Sequence, residues 1–229
     1  EPADLRAEDE LGRRALHHAA AGGHEATVAR LIDAGASLEA EDDRTRRPMH
    51  HAARFGDAES LRRLIRAGAK IDPVDEGRAH DGGWNPLLYA ARFGSRDSVR
   101  LLLKVGASLE ARTGKGGSVL HYAVANGDPG ILQMLLDAGA QVAAEADDGW
   151  RPLHQASRYG NTAQVKALLE AGADVAAETG DGWRPLHQAS RYGDTAMVKA
   201  LLEAGADVAA ETGDGWRPLH QASRYGDTA

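Results

Sequence analysis

Histidine is the residue type of this chain best suited to catalysis or metal binding, because its imidazole binds metals and transfers protons near neutral pH. Six of the ten histidines occupy the third place of one recurring phrase, most often Pro-Leu-His: His17, His50, His121, His154, His187 and His220. They stand about one repeat apart, and stacked repeats are separated by roughly 10 Å, whereas the ligands of one metal ion must converge. We therefore interpret them as structural residues that bond local backbone, and we predict no metal site and no cofactor.

Other catalytic patterns fail on inspection. Residues 113–118 hint at a phosphate-binding loop, but Leu109 and Gly116 occupy the positions that need glycine and Ser or Thr. The chain has no cysteine, which excludes disulfides, thiolate metal sites and a cysteine nucleophile, and it has no Gly-x-Ser-x-Gly elbow. The carboxylates recur with the phrase and indicate a solvated edge. We predict that the chain is not an enzyme.

The spacing of the phrase is more informative than its histidines. Its central residues are Leu16, Met49, Leu87, Leu120, Leu153, Leu186 and Leu219. Successive copies lie 33 residues apart, except between Met49 and Leu87, where five extra residues are inserted. A fixed period of this length predicts a stack of small repeats, each of which buries its apolar face against its neighbours.

One repeat, residues 149–181, predicts two helices and a loop. Pro152 suits the first position of a helix, and Gly160 ends that helix. Asn161 caps a second helix that ends at Gly172, and four other repeats hold good N-caps at the same position. These are Asp57, Ser95, Asp128 and Asp194. The polar residues 179–182 then form a turn towards the next repeat.

Residues 149–156 read Gly-Trp-Arg-Pro-Leu-His-Gln-Ala, and Val165, Leu168-Leu169 and 172–175 (Gly-Ala-Asp-Val) follow them. This pattern closely resembles the ankyrin repeat. The resemblance implies an all-α solenoid of stacked helix-turn-helix units with projecting β-hairpin loops, whose partners bind a concave surface of hairpin tips and first helices. The family's threonine before Pro-Leu-His is absent, and Leu88 replaces one histidine, so we do not expect the usual hydroxyl–imidazole bond in most repeats.

The period sets the predicted domain limits. Residues 1–229 form a single ankyrin-repeat domain that begins in the tail of an earlier repeat, residues 1–12. The predicted repeats are about 13–45, 46–83, 84–116, 117–149, 150–182 and 183–215, followed by a partial repeat at 216–229. We expect a fragment of a longer natural array. The insertion, within residues 72–83, is either a functional finger or a tolerated surface insertion.

Composition constrains the partners. The net charge of −7 and pI near 5.8 argue against binding to nucleic acid, and no apolar run predicts membrane insertion. Ends that expose apolar faces would also permit end-to-end self-association of the fragment.

A stripe of Arg and aromatic residues recurs in register with the phrase. On the first helix of residues 149–181, Gln155, Arg158 and Tyr159 share one face, beside the hairpin residue Trp150. The predicted partner-binding residues are Trp84, Tyr89, Arg92, Trp150, Gln155, Arg158, Tyr159, Trp183, Gln188, Arg191, Tyr192 and Trp216. Each ring either contacts a partner or wedges against the next repeat. Alanine, glycine and asparagine interrupt the stripe at 21–22 and 125–126.

These observations favour a non-catalytic scaffold that binds a protein or peptide, since Arg and large aromatic residues dominate binding energy at interfaces. Two alternatives remain open. The array could sense or position for an active domain elsewhere in a larger protein, or it could be a structural, self-associating solenoid.

Overall fold

The computed structural model describes residues 4–55, 58–77 and 82–225, which contain thirteen α-helices. The chain divides into two compact units, Glu1–Lys115 and Gly116–Ala229. The N-terminal unit holds α1 (Ala15–Ala21), α2 (Glu25–Asp33), α3 (Pro48–Arg54), α4 (Ala58–Arg66), α5 (Pro86–Phe93) and α6 (Arg96–Lys104). The C-terminal unit holds α7 (Val119–Asn126), α8 (Pro129–Asp137), α9 (Pro152–Tyr159), α10 (Thr162–Glu170), α11 (Pro185–Tyr192), α12 (Thr195–Glu203) and α13 (Pro218–Tyr225).

Each repeat contributes a first helix, which carries the histidine phrase, and a second helix. Within each unit, first helices pack on the first helices of adjacent repeats, and second helices pack on second helices. The short side chains of Ala52, Ala90 and Ala156 are fully buried and let the first helices approach closely, while Leu61, Leu102 and other leucines fill the space between layers. The predicted helix pairs are therefore confirmed.

The second helices begin as their cap residues predict. Ser95, Asn161 and Asp194 accept hydrogen bonds from the backbone N–H three residues on, and Asp128 accepts one from the N–H two residues on. Asp57 lies outside the described residues. Gly172, just beyond the end of α10, adopts the left-handed conformation (φ +87°) that a β-carbon disfavours.

The histidine of the recurring phrase hydrogen-bonds the start of its own first helix and the loop that leads to the next repeat. In His154, Nδ1 accepts from the backbone N–H of Arg151 (3.1 Å), so Nε2 carries the proton and donates to the carbonyls of Ala177 (3.0 Å) and Trp183 (3.1 Å). His17 and His187 repeat the same three contacts. Burial lowers the pKa of His17 to about 4, consistent with a neutral ring held by two carbonyls.

The predicted β-hairpin between repeats is a turn only. None of the described residues forms a β-strand. In the loop before α11, the N–H of Thr179 donates to the carbonyl of Trp183 (2.9 Å), and Gly182 has φ +75°. The inserted loop lies only in part within the described residues, which exclude 78–81. None of the described helices is long and apolar enough to cross a lipid bilayer.

Candidate functional site

Two series of arginines recur with the repeat, and the structure separates them. The first series precedes the first helices, and its members lie close to carboxylates of their own loops. The pairs are Arg14–Glu8 (2.8 Å), Arg47–Glu41 (2.9 Å), Arg151–Glu145 (3.5 Å), Arg184–Glu178 (2.7 Å) and Arg217–Glu211 (2.6 Å). These guanidinium groups already have an anionic partner, so their role is satisfied within the fold.

The second series lies near the end of the first helices: Arg54, Arg92, Arg158, Arg191 and Arg224. Among the described residues, none of these five forms an ion pair with a carboxylate. Each instead lies over aromatic rings at 4.2–5.8 Å. The face of each guanidinium is thus covered by a ring, while its charge has no counterion.

In the C-terminal unit these contacts form a continuous arginine–aromatic stack. The Cζ of Arg158 lies 4.9 Å from the ring centre of Tyr192, in the next repeat, and 5.5 Å from that of Trp150. The Cζ of Arg191 lies 4.9 Å from Tyr192 and 4.2 Å from Tyr225. Arg224 completes the stack over Tyr225 (5.2 Å) and Trp216 (5.4 Å). Each tyrosine therefore bridges two repeats and is also nearly half exposed.

Two grooves open between the loops and this stack. The larger, about 390 Å³, lies between the loops that carry Trp150 and Trp183 and is lined by Arg158, Arg191 and Gln188. The smaller, about 160 Å³, repeats the arrangement one repeat later, with Gln221 in place of Gln188. Both glutamine side chains are more than nine-tenths buried, and neither Oε1 atom accepts a hydrogen bond from the described residues. A buried acceptor without a donor is costly, so each groove has a polar atom that a ligand could satisfy.

Comparison with known proteins identifies the architecture. A model of ankyrin repeats (three copies) matches residues 1–75, 39–113, 74–146, 109–179 and 153–229. The chain belongs to the ankyrin repeat family. The ankyrin repeat domain of human ASB11 superposes with a TM-score of 0.82 at 28% identity and covers 93% of both chains. The ankyrin repeat domain of Bcl-3, described as a unique member of the IkappaB protein family, gives 0.76 at 31% identity and covers 93% of this chain and 95% of its own. Curated protein sequences give no match.

Ankyrin repeat domains are generally protein–protein interaction modules. Domains of this fold are typically non-catalytic. Among the described residues, no group of three or more His, Asp or Glu is arranged as metal ligands.

The predicted binding residues of the C-terminal ankyrin repeats fall on one face. The grooves and the stack bring together Trp150, Arg158, Trp183, Gln188, Arg191, Tyr192 and Trp216. Tyr159 is 64% exposed and contacts Arg158, while Gln155 is half-buried and does not line either groove. The two alternatives for the rings are not exclusive, because Tyr192 both packs between repeats and remains accessible.

The predicted residues of the N-terminal unit are less accessible. Trp84 is 8% exposed and Tyr89 is 6% exposed. The Tyr89 hydroxyl donates to the buried carboxylate of Asp75 (2.6 Å), and burial raises the pKa of Tyr89. Of the three predicted residues of this unit, Arg92 is the most accessible, and its neighbour Phe93 is exposed. Tyr89 therefore contributes chiefly to packing.

Sequence reasoning missed a polar network in the N-terminal unit. The side chain of Asp42 is fully buried and accepts bonds from Arg46 Nε (2.9 Å) and His51 Nε2 (3.0 Å). Burial opposes the ionisation of Asp42, but these hydrogen bonds prevail and hold its pKa well below its usual range. The available signal was a second copy of the pattern 33 residues earlier, where Asp9 contacts Arg13 and His18.

Proposed function

We propose that this chain is a non-catalytic scaffold that binds a protein or peptide on the face formed by the interrepeat loops and the first helices of its C-terminal unit. The observation that supports this most strongly is the contrast between the two arginine series. Arg184 has an acidic partner within the fold, whereas Arg191, seven residues later in the same repeat, has none within the part of the chain that the structure describes. A repeated charge that the fold leaves unpaired is available to a partner.

The physical properties of this face suit recognition. Arg158 is held over Trp150 and Tyr192, so its guanidinium loses little conformational freedom when it binds. Aromatic and Arg anchors in partly desolvated surroundings carry most of the energy at protein interfaces. The unsatisfied Oε1 of Gln188 adds a directional contact in the same groove.

Selection of peptide ligands from an unbiased pool tests this assignment. A random peptide library displayed on phage is selected on the full chain, and the affinities of the enriched peptides are measured for the variants Trp150→Ala, Arg158→Ala and Tyr159→Ala. Lys166→Ala is the matched control, because Lys166 is exposed on the second helix α10, away from the face.

We expect at least one of the three face variants to weaken binding about tenfold while circular dichroism shows an intact fold, since truncation of an interface anchor costs more than about 1 kcal/mol. Lys166→Ala should bind like the unaltered chain. Selected ligands that are insensitive to all three face variants would place the binding surface elsewhere. Loss of folding in all three variants would show that the stripe is core.

A further inference from the structure

The spacing of the unpaired guanidinium groups has a consequence for the partner. Tyr192 lies 4.9 Å from the Cζ atoms of both Arg158 and Arg191, so these two Cζ atoms are no more than about 10 Å apart. Tyr225 relates Arg191 and Arg224 in the same way, at 4.2 and 5.2 Å. Equivalent side chains on adjacent repeats are displaced by the spacing of packed helices, roughly 8–10 Å, which agrees with this upper limit. The stack therefore presents cations at intervals of about 8–10 Å.

Among regular peptide conformations, polyproline II repeats at this interval. It has three residues per turn and rises about 3.1 Å per residue, so every third side chain points the same way at intervals of roughly 9 Å. In a β-strand, side chains on one face recur at about 7 Å, which falls out of register after one repeat.

We infer that the arginine–aromatic stack of the C-terminal unit binds a proline-rich acidic segment in the polyproline II conformation, with one carboxylate at every third residue. Each carboxylate meets one guanidinium, Arg158, Arg191 or Arg224. This inference rests on the proposed function and specifies its partner.

The charges and polar atoms of the grooves support this class of ligand. Stacking on the rings covers the guanidinium faces, and the Nε atoms of Arg158 and Arg191 are buried, so a carboxylate would bind through the two Nη groups by two parallel hydrogen bonds. The buried Oε1 atoms of Gln188 and Gln221 supply one acceptor per groove. A Glu-Pro-Pro repeat has one backbone N–H per turn, so it offers one donor for each of these acceptors. Three exposed carboxylates also line the grooves, Asp148 and Asp181 in the larger and Asp214 in the smaller, so a ligand carboxylate must lie over the guanidinium groups and away from these loop residues.

Three fluorescein-labelled peptides test the inference by anisotropy on the full chain at low salt. The probe is (Glu-Pro-Pro)4. The first comparison peptide, (Gln-Pro-Pro)4, keeps the conformation and removes the charge. The second has the same composition with its four glutamates placed together at one end, which keeps the charge and removes the register.

We expect the probe to bind, the glutamine peptide to bind at least about tenfold more weakly, and the clustered peptide to bind about fivefold more weakly. Arg191→Gln should weaken the probe about fivefold or more, and Arg191→Lys should weaken it less, because lysine keeps the charge without the fork. Arg184→Gln is the control from the paired series and should leave affinity within about twofold. Thermal melts establish that each variant is folded, and the exposed Arg224→Gln serves if Arg191→Gln does not fold.

Equal binding of the three peptides, or equal effects of Arg184→Gln and Arg191→Gln, would overturn the inference. Equal binding of the probe and the clustered peptide would reduce it to unregistered attraction between charges. If the probe fails to bind while phage-selected ligands still depend on Arg158, the proposed function stands and this inference is wrong. If the probe fails to bind and the selected ligands are insensitive to Trp150→Ala, Arg158→Ala and Tyr159→Ala, both are wrong.

Discussion

Replacement of His154 by leucine should destabilise the fold through its hydrogen bonds and not through lost volume. The substitution leaves the backbone N–H of Arg151 without its acceptor, and it leaves the carbonyls of Ala177 and Trp183 without their donor. An unsatisfied buried polar group costs about 1–3 kcal/mol, and the two carbonyls share one proton. After a small gain from the more apolar side chain, we expect a net loss of about 2–4 kcal/mol.

The third repeat shows how the chain itself accommodates a leucine at this position. Leu88 is fully buried there, and the Asn85 side chain makes two other bonds in place of those of the missing imidazole. Its Oδ1 accepts from the N–H of Leu88 (2.9 Å), and its Nδ2 donates to the carbonyl of Ser108 (3.2 Å), in the following loop. The equivalent change around α9 is Arg151→Asn combined with His154→Leu, with the carbonyl of Asp174 as the new acceptor.

The double variant should recover about half of the loss, because the new asparagine caps α9 and bonds the carbonyl of Asp174, whereas the N–H at position 151 and the carbonyls of Ala177 and Trp183 stay without their partner. The ion pairs given up by Arg151 lie near the surface and are worth less than about 1 kcal/mol. Urea unfolding followed by circular dichroism measures both. The single variant should shift the midpoint by about 1 M, given a slope of about 2–3 kcal/mol per M.

The pH dependence distinguishes this mechanism from a packing defect. Burial lowers the pKa of His154 below its ordinary 6.5. Protons therefore bind the unfolded chain preferentially, and the stabilisation is complete above pH 6.5 and lost progressively as the pH falls below it. The double variant, which lacks this imidazole, should lose less stability between pH 7 and pH 5 than the unaltered chain. A double variant as unstable as His154→Leu alone, or one with an unchanged pH dependence, would refute the reasoning.

Three further predictions concern the core, the arginine–aromatic stack and the hydrogen bond of Tyr89. Leu153→Ala should lower the free energy of unfolding, measured in urea, by about 3 kcal/mol, because Leu153 is only 1% exposed. Leu219→Ala should lower it by less than about 1 kcal/mol, because Leu219 is 75% exposed. Equal losses in the two variants would contradict this difference in burial. A double-mutant cycle of Arg158→Met and Tyr192→Leu should give a coupling energy of about 0.5–1 kcal/mol that persists at high salt, and zero coupling would show that the contact does not stabilise the stack. Tyr89→Phe should cost about 1–3 kcal/mol because it removes the donor to a buried carboxylate, and a neutral result would show that this bond is not formed.

Much of the fold could be predicted from the sequence, because it depends on local patterns and on contacts between adjacent repeats. The phrase around Leu153 recurs at a fixed interval, which identifies the repeat. Pro152 and Asn161 mark the starts of α9 and α10, because the proline ring suits the first position of a helix and the asparagine side chain caps the backbone N–H groups. The structural role of His154 also follows from the period, because equivalent histidines stand too far apart to share a ligand.

The composition of the site could be predicted, but the accessibility of its members could not. Trp84 and Trp183 occupy the same position in their repeats, yet Trp84 is buried and Trp183 lines a groove. The difference arises from a third residue, because the Tyr89 ring lies 5.1 Å from the Trp84 ring, whereas the equivalent position beside Trp183 is the slender Gln188. The spacing of the repeats alone therefore does not predict which of the equivalent tryptophans is accessible.

Three positions per repeat set the chemistry of the proposed binding face, and they vary together without disturbing the fold. Where the loop offers Asp42, the face carries Arg46 and His51, and the three form one buried polar network. Where the loop offers threonine, as before Trp183, the threonine hydroxyl accepts only from the tryptophan backbone N–H (3.1 Å), and the ring is left to line a groove. The bonds that join repeats run instead from the phrase histidine to backbone carbonyls, which every residue possesses. The scaffold therefore imposes no particular side chains on the face, and neighbouring repeats can present different surfaces at little cost in stability.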